Sequence, residues 1–453
     1  MTSQRIISTY MALAGTYTLA ASLIWSVNTL FLLDAGLSIS EVFIANALFS
    51  AGMVLFEIPT GVIADTLGRR ISYLASVATL AITTVAYLLA AQAGAGLVVF
   101  GLTSIVMGLG FTFYSGALEA WLVDALATTG YDRNLDHVFA RGQQVNGAAM
   151  LVGTVVGGFL GQLDLAVPFI ARAGLLVAVL VLASRLMHDV GFEPQSLDLA
   201  DIPSQLRQQT AVGLAHGWDQ PGLRLLMMAA ATRGLFFGWA FYAAQPYFLE
   251  LLDREAVWIV GLVTAGISVA TIIGNQIVEV AAKRCGRRST LLLLAGGFSS
   301  AAAVTIGLTS SFTVAVIALM VVALAMGVTS PVRQAYLHQV VDSEYRATVI
   351  SFDAMVASVG GVGGQIGLGV LSERRSFSAG YIVGGAITAL ALPVLWGLRR
   401  LPNPENQAAD RLVPPGAAGA DGTCPSGLPR GTGVESIPVA AIDGEIKLPP
   451  SDG

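Results

Sequence analysis

Long apolar segments, each about as long as a membrane-crossing helix, follow one another along most of the chain. A helix needs roughly 20 mostly apolar residues to cross a bilayer, and by that measure the sequence predicts about twelve spans. They lie near residues 8–33, 41–64, 71–91, 96–126, 138–162 and 166–187, and then near 222–250, 256–282, 289–308, 311–341, 345–371 and 377–398. The pattern therefore predicts an all-α integral membrane protein.

Two polar segments interrupt this pattern. Residues 188–221 separate the two sets of six spans, and we expect them to form a cytoplasmic central loop. This loop divides an N-terminal six-helix half at 1–187 from a C-terminal six-helix half at 222–400. Residues 401–453 are rich in Pro, Gly, Ala and Asp and show no apolar period. Because such a composition cannot bury a core, we expect a disordered cytoplasmic tail.

The composition agrees with a surface that faces lipid. Hydrophobic residues make up 55% of the 453 residues and charged residues only 12%, about half the share typical of soluble domains. The sequence has no polybasic block suited to nucleic acid, no metal-ligand spacing among its histidines and no pair of catalytic carboxylates. The glycine-rich run at 360–364 lies inside a span rather than after a strand, which favours helix contact over a nucleotide loop. We therefore expect neither an enzyme nor a cofactor.

The placement of Lys and Arg predicts the orientation in the membrane. Loops and flanks on the side of the N-terminus carry 15 of these residues, and those on the other side carry 3, namely Arg254, Arg374 and Arg375. Cytoplasmic loops carry the excess of positive charge. Arg5 is followed by a segment long enough to span, which favours a first helix over a cleaved signal peptide. We expect a multi-pass protein of the cell membrane with both termini in the cytoplasm.

A short basic segment occurs twice at corresponding places. Gly61-Val-Ile-Ala-Asp-Thr-Leu-Gly-Arg-Arg70 ends the second span, and an altered copy, Glu279 to Arg288, ends the eighth span 218 residues later. Each half has an even number of spans, so the two halves run in the same direction as parallel repeats. This arrangement predicts two parallel-repeated six-helix bundles, which alternating-access carriers rock around a site near the membrane midplane.

The first copy carries a family resemblance. It resembles the signature loop of the major facilitator superfamily at Gly61, Asp65, Gly68, Arg69 and Arg70. Thr66 stands where that pattern has a basic residue, and the resemblance covers about residues 5–400. It implies a twelve-span transporter of small molecules that works as a monomer. In that family the matching Asp docks against the start of the eleventh helix and latches the outward-open form. That start lies here near 343–346.

A looser resemblance concerns the direction of transport. Segments 56–61, 114–121 and 331–336 resemble bacterial drug-efflux-like members of the superfamily, which implies proton-linked export of a small organic molecule. Two departures keep alternatives open. Ser104 stands where efflux antiporters often have an Arg, and the fifth span lacks their Gly-Pro pair. The alternatives are that the protein takes up its substrate together with protons, or that it is a transporter-like sensor that moves nothing.

Charged residues inside the spans are costly, and they often mark function or pair with one another. The candidates for proton coupling or gating are Glu57, Glu119, Arg233, Arg333 and Asp353. Glu119 could carry a proton or form a permanent ion pair with Arg333 or Arg233. Glu57 could join the network around Asp65 or titrate.

Four cations have further interpretations. Arg233 could hold an anionic substrate instead of pairing with Glu119. Arg333, or alternatively Arg346, is the expected partner of Asp353. Arg172 lies near the outer end of the sixth span, and we expect it to snorkel to the membrane surface.

Aromatic and amide side chains on two spans predict a substrate cavity. The candidates are Tyr17, Trp25 and Asn28 on the first span and Trp239, Tyr242 and Gln245 on the seventh. Asn28 and Gln245 occupy equivalent positions, so we expect the two amides to face each other across the cavity. An aromatic wall with a few polar groups suits an amphipathic organic ligand, although helix packing is the competing interpretation of the aromatic residues.

Overall fold

The computed structural model describes residues 2–131, 134–192, 204, 207–208, 211–285, 287–341 and 345–401. All regular structure in these residues is helical. The α-helices are α1 (Ser3–Ser22), α2 (Asn28–Asp34), α3 (Ile39–Leu67), α4 (Arg69–Gln92), α5 (Leu97–Tyr114), α6 (Ala117–Ala127), α7 (Asp136–Leu163), α8 (Val167–Leu186), α9 (Pro221–Leu252), α10 (Val257–Cys285), α11 (Arg288–Leu308), α12 (Phe312–Val340), α13 (Arg346–Arg374), α14 (Phe377–Ala389) and α15 (Ala391–Arg400). A single π-helical turn, Gly213–Trp218, precedes α9.

The predicted spans are present. Within the described residues, eleven helical segments are long and apolar enough to cross a membrane, with α5 and α6 forming one of them and α14 and α15 another. The pair α1 and α2 supplies the remaining predicted span. The all-α membrane fold is therefore confirmed. The predicted tail and most of the predicted central loop lie outside the described residues.

The first span is broken, although the sequence predicts one continuous helix at 8–33. α1 ends at Ser22 and α2 begins at Asn28, with a turn between them. Backbone groups in a bilayer need partners within the protein, because no water is available there. Gln245 of α9 supplies two of them: its Nε2 donates to the Trp25 carbonyl at 2.9 Å, and its Oε1 accepts from the Thr29 N–H at 2.7 Å.

This arrangement corrects the prediction for Gln245. Its side chain is 1% exposed, and both ends of its amide are used by the backbone of the first span. It therefore does not face Asn28 across a cavity. Instead it bonds the seventh span directly to the first, across the boundary between the two halves of the chain.

The two halves meet tightly at one end of the bundle. Gly158 of α7 faces Gly261 of α10 so closely that a Cβ on Gly158 would lie 2.8 Å from the Gly261 Cα. The Gln162 side chain donates to the Glu255 carbonyl at 3.0 Å, and the Ser40 N–H donates to a carboxylate oxygen of Glu373 at 3.1 Å. The Lys and Arg distribution predicts that this end faces the outside.

The halves separate at the other end. A cleft of about 260 Å³ lies between α3 and α13, and Glu57, Met53 and Phe352 are among its lining residues. The Lys and Arg distribution predicts that this end faces the cytoplasm. With that predicted orientation, the described conformation is closed to the outside and open towards the inside.

Replacing Gln245 by Leu tests the role of its amide in the outer closure. The change leaves the Trp25 carbonyl and the Thr29 N–H without partners, at a cost of about 1–3 kcal/mol for each buried group. We expect the population to shift towards outward opening. Phe43, which is fully buried against Trp239 of the other half, serves as reporter when replaced by Cys in a background without native cysteines. A membrane-impermeant thiol reagent added outside should label it faster in Gln245→Leu.

Gln162→Leu is the matched control for this change. It removes an amide of the same closure that makes a single bond at the rim, so its effect on labelling should be small. Equal labelling rates in wild type and Gln245→Leu would show that the amide does not hold the outer end closed.

Candidate functional site

A cavity of about 650 Å³ lies between the two halves. Both halves contribute to its wall, through the first six spans on one side and through α9, α10, α12 and α13 on the other. Its volume is within the range of pockets that bind drug-sized molecules. Met53 lines both this cavity and the cleft at the predicted inner end, so the two spaces adjoin.

The wall of the cavity is mainly apolar. Its large side chains are Trp25, Phe49, Met53, Tyr87, Met107, Phe111, Met150, Phe237, Phe241, Tyr242 and Met326. Few polar groups interrupt this surface. The Asn28 amide donates to the Asn46 side-chain oxygen at 3.0 Å, and the Gln365 amide donates to the Gly238 carbonyl at 3.1 Å. Aromatic and methionine side chains with a few fixed polar groups suit an organic ligand.

The structure brings three of the six predicted cavity residues together. Trp25, Asn28 and Tyr242 line the cavity. Tyr17 lies in the core of the N-terminal half instead, where it is 2% exposed and stacks on Tyr114 with ring centroids 3.8 Å apart. The reason is the break after Ser22, which separates the helical phase of α1 from that of α2, so that residues spaced for one face no longer share it.

Trp239 is also misplaced by the prediction. It is fully buried in the C-terminal half and packs against Phe43 and Tyr381, at centroid distances of 6.0 and 4.9 Å. It thus contributes to packing beside the outer closure rather than to the wall of the cavity. Helical spacing from Tyr242 could not distinguish these two neighbouring faces of α9.

Sequence reasoning missed a charged residue of the wall. Arg172 of α8 is 1% exposed and lines the cavity, whereas the prediction has it snorkelling to the membrane surface. It is the only charged residue on the wall formed by the described residues. The sequence did contain a signal for it, because a cation within a span is costly. Its position near one end of the span instead favoured snorkelling.

Glu119 lies beyond a break in the fourth span. α5 ends at Tyr114 and α6 begins at Ala117, with Gly116 between them at φ 72°, a left-handed conformation that favours glycine. Glu119 therefore lies in the first turn of a new helix, where its charge is favourable, and it is exposed. Among the described residues it forms no ion pair, with either Arg233 or Arg333.

The buried ion pair of the C-terminal half joins α12 to α13. Arg333 donates to Asp353, whose side chain is almost completely buried. One of the two expected pairings of Asp353 is thus confirmed, while Arg346 donates to the Val341 carbonyl at 3.3 Å. Arg233 interacts electrostatically with both members of the pair, and it lines a pocket of about 50 Å³ outside the central cavity.

The signature loop is built into the N-terminal half. Asp65 pairs with Arg69, whose Nε lies 3.8 Å from an Asp124 carboxylate oxygen. Gly68 has φ 109°, and a Cβ there would lie 2.8 Å from a carboxylate oxygen of Asp189. The left-handed backbone and the lack of room for a Cβ together explain why this position is glycine. Gly61, by contrast, has open space around its α-carbon.

Asp189 completes this loop from the end of the sixth span. It accepts a bond from the Arg70 N–H at 2.9 Å, at the start of α4, and the Arg70 guanidinium donates to the Ser184 carbonyl at 3.0 Å. Glu57 is separate from this cluster. It is exposed in the inner cleft and accepts a bond from the Ser115 hydroxyl at 3.0 Å.

The predicted docking partner of Asp65, at 343–346, lies partly outside the described residues. Arg346 is described, and it does not pair with Asp65 in this conformation. The altered second copy of the loop is described only in part, because Gly286 and the Lys283 side chain are outside the described residues. Its Arg287 donates to the Arg399 carbonyl at 3.4 Å.

Solved structures of transporters share this fold. The nucleoside transporter NupG superposes with a TM-score of 0.73 at 11% identity, over 88% of this chain and 100% of that one. A bacterial homologue of the iron transporter ferroportin, in an inward-facing state, has a TM-score of 0.72 at 14% identity over the same shares. The D-xylose–proton symporter has 0.62 at 16% identity, over 89% and 98%. At these identities the likeness concerns the fold.

The sequence itself carries the family assignment. No curated protein matches this chain. The model of the Major Facilitator Superfamily matches residues 10–254 and again 226–429, which together cover most of the chain. With twelve spans around a central cavity, the chain belongs to the Major Facilitator Superfamily of membrane transporters.

Proposed function

We propose that this protein is a secondary transporter that exports a small organic molecule across the cell membrane by alternating access, driven by the proton gradient. The central cavity carries this proposal. It lies between the two halves, is closed at the predicted outer end and adjoins a cleft at the predicted inner end. A molecule bound there would be released on the other side when the halves rock.

The outer closure is of a kind that can open. Among the described residues it combines backbone contact at Gly158 and Gly261 with hydrogen bonds such as those of Gln162, Ser40 and Gln245. At the glycine contact no interlocked side chains have to separate when the halves move apart. This supports a two-state carrier rather than a sensor that moves nothing.

Asp353 is a better candidate than Glu119 for coupling to protons. It is a buried carboxylate within a span, and its pair with Arg333 joins two helices of the C-terminal half. Protonation of Asp353 would remove its charge and release Arg333, so that proton binding would change how α12 holds α13. Glu119 is exposed and lacks such a connection.

Proton-coupled uptake is the second candidate for direction. The D-xylose–proton symporter shares the fold by its superposition, so this architecture accommodates symport as well as export. The fifth span also lacks the Gly-Pro pair of efflux antiporters, which favours uptake. Ser104, where those antiporters often have an Arg, is buried and shares a hydrogen bond of 2.5 Å with the Tyr87 hydroxyl.

A panel of fluorescent organic compounds distinguishes these functions. Cells with and without the protein are loaded, and intracellular dye is measured before and after a protonophore. Proton-linked export predicts less dye in expressing cells and recovery with the protonophore. Proton-coupled uptake predicts more dye and its loss with the protonophore. An unchanged level throughout the panel, for protein shown to reach the membrane, would count against transport of such compounds.

Replacing Asp353 by Asn separates a coupling role from a structural one. Removing one partner of a buried pair leaves Arg333 uncompensated, with an expected loss of about 3–5 kcal/mol of stability. The double variant Asp353→Asn/Arg333→Gln should recover the thermal midpoint. If Asp353 couples protons, the double variant should still bind substrate but lose gradient-driven accumulation. Exposed Glu119, changed to Gln, is the control and should behave as wild type.

Recovery of proton-driven transport in the double variant would show that the pair only supports the fold. A stable Asp353→Asn protein with unaltered transport would exclude both roles, leaving Glu57 as the next carboxylate to test.

Asp65→Asn tests the conformational loop. In this inward-open state Asp65 pairs with Arg69, and the family pattern has it dock on the eleventh span in the outward-open state. Loss of its charge should destabilise that other conformer by about 0.3–2 kcal/mol, the range for a charge at a helix terminus. Turnover should fall while the protein remains folded. Asp34→Asn, an exposed carboxylate at the opposite end of the same half, should leave turnover unchanged. Wild-type turnover in Asp65→Asn would contradict the latch.

A further inference from the structure

The described residues place one charged group on the wall of the central cavity, and that group is fully enclosed. Arg172 projects from α8, is 1% exposed and belongs to the wall of the 650 Å³ space. The rest of the described wall is aromatic, aliphatic or neutral polar. Since a cation within a span is costly, a protein retains it where it has a partner or a function.

Among the described residues, Arg172 has no partner that balances its charge. Its Nε and Nη2 are buried without a hydrogen bond. The ionisable side chains that interact with it are the phenols of Tyr17 and Tyr87. Tyr87 already shares a hydrogen bond with Ser104. Among the described residues, no carboxylate forms an ion pair with Arg172.

The intramembrane arginines described in the C-terminal half are treated differently. Arg333 has Asp353 as its counter-ion, and Arg233 interacts with the same carboxylate. The chain can therefore supply a buried carboxylate to arginines within its spans. Arg172 instead has donors without partners at the wall of a cavity large enough for an organic molecule, and a guanidinium presents donors in a planar fork that matches a carboxylate.

We propose that Arg172 binds the anionic head group of the substrate, and that the substrate is an amphipathic organic anion. The proposal rests on the proposed function, since it identifies the ligand class of the same cavity. The carboxylate, or a group of similar charge and shape, takes the free donors of Arg172. The apolar body contacts side chains such as Phe49, Phe111 and Met150. The Asn46 side-chain nitrogen, also buried without a partner, offers one more neutral donor on the wall.

Matched acids and amides test this proposal on the full chain in lipid nanodiscs, without any gradient. The probes are 4-phenylbutyrate, 1-naphthaleneacetate and 1-pyrenebutyrate, each compared with its own primary amide, which has nearly the same shape and no charge. Affinity is taken from the rise of the thermal midpoint with ligand concentration. At least one acid should bind about 10–100-fold tighter than its amide, as expected for hydrogen bonds to a charged group. If no acid is preferred over its amide, the proposal is wrong.

Variants then assign the preference to Arg172. In Arg172→Gln the acid and the amide should bind within about threefold of each other, because the charge is gone. Arg172→Lys keeps the charge without the planar guanidinium, so it should retain part of the preference for the acid. It replaces Arg172→Gln in the test if the Gln variant does not fold. Arg185→Gln, an exposed position on the same helix, should keep the full preference. A purely structural role of Arg172 would lower the thermal midpoint of the empty variant and leave the ratio of acid to amide unchanged, which would overturn the proposal.

This binding assay is independent of transport. If the wild-type protein binds acids no more tightly than their amides, the substrate is not an organic anion, even if the compound panel shows gradient-driven transport of other molecules. Conversely, a clear preference that depends on Arg172, together with an absence of gradient-driven accumulation, would keep the anion site and refute the transport function.

Discussion

The need to satisfy every backbone polar group inside a bilayer governs this structure. Continuous helices meet that need by themselves, and most spans do so. The first span does not, since it is interrupted between α1 and α2, and the side-chain amide of Gln245 compensates from the other half of the chain. A local defect in one bundle thereby becomes a bond between the two bundles. The bond belongs to the conformation in which the outer end is closed.

Close packing through glycine follows from the same environment. Lipid gives helices no hydrophobic reason to associate, so small residues that allow backbones to approach become the main source of contact. Gly364 of α13 lies so close to α9 that a Cβ would collide with the Leu235 carbonyl, whereas its neighbour Gly363 has open space. Within this glycine-rich run, therefore, helix packing requires a glycine at one position, whereas its neighbour has room for a side chain.

Much of the fold could be predicted from the sequence, because hydropathy over about 20 residues is a strong signal. The site was harder to predict. Trp25 and Tyr242 line the cavity as predicted, whereas Tyr17 and Gln245 do not, since helical spacing assumes an unbroken first span. Among the described residues, the alternative ion pair of Glu119 with Arg233 or Arg333 does not form, because the turn at Gly116 redirects the chain inside an apolar segment that gives no sign of a turn. Breaks of this kind depend on tertiary partners, which a one-dimensional pattern does not contain.

The solitary charge of Arg172 has an electrical consequence. A carrier whose cavity holds one uncompensated cation is positive when empty, and an anion bound there cancels that charge. The membrane potential exerts about 2.3 kcal/mol per elementary charge and 100 mV on charge that crosses the whole field, and proportionally less on charge that crosses part of it. The voltage would therefore act on the return step, in which the substrate site is empty and a proton on Asp353 would add to the positive charge, and hardly on the step that carries the anion. In such a cycle, the electrogenic step is the one that carries no substrate.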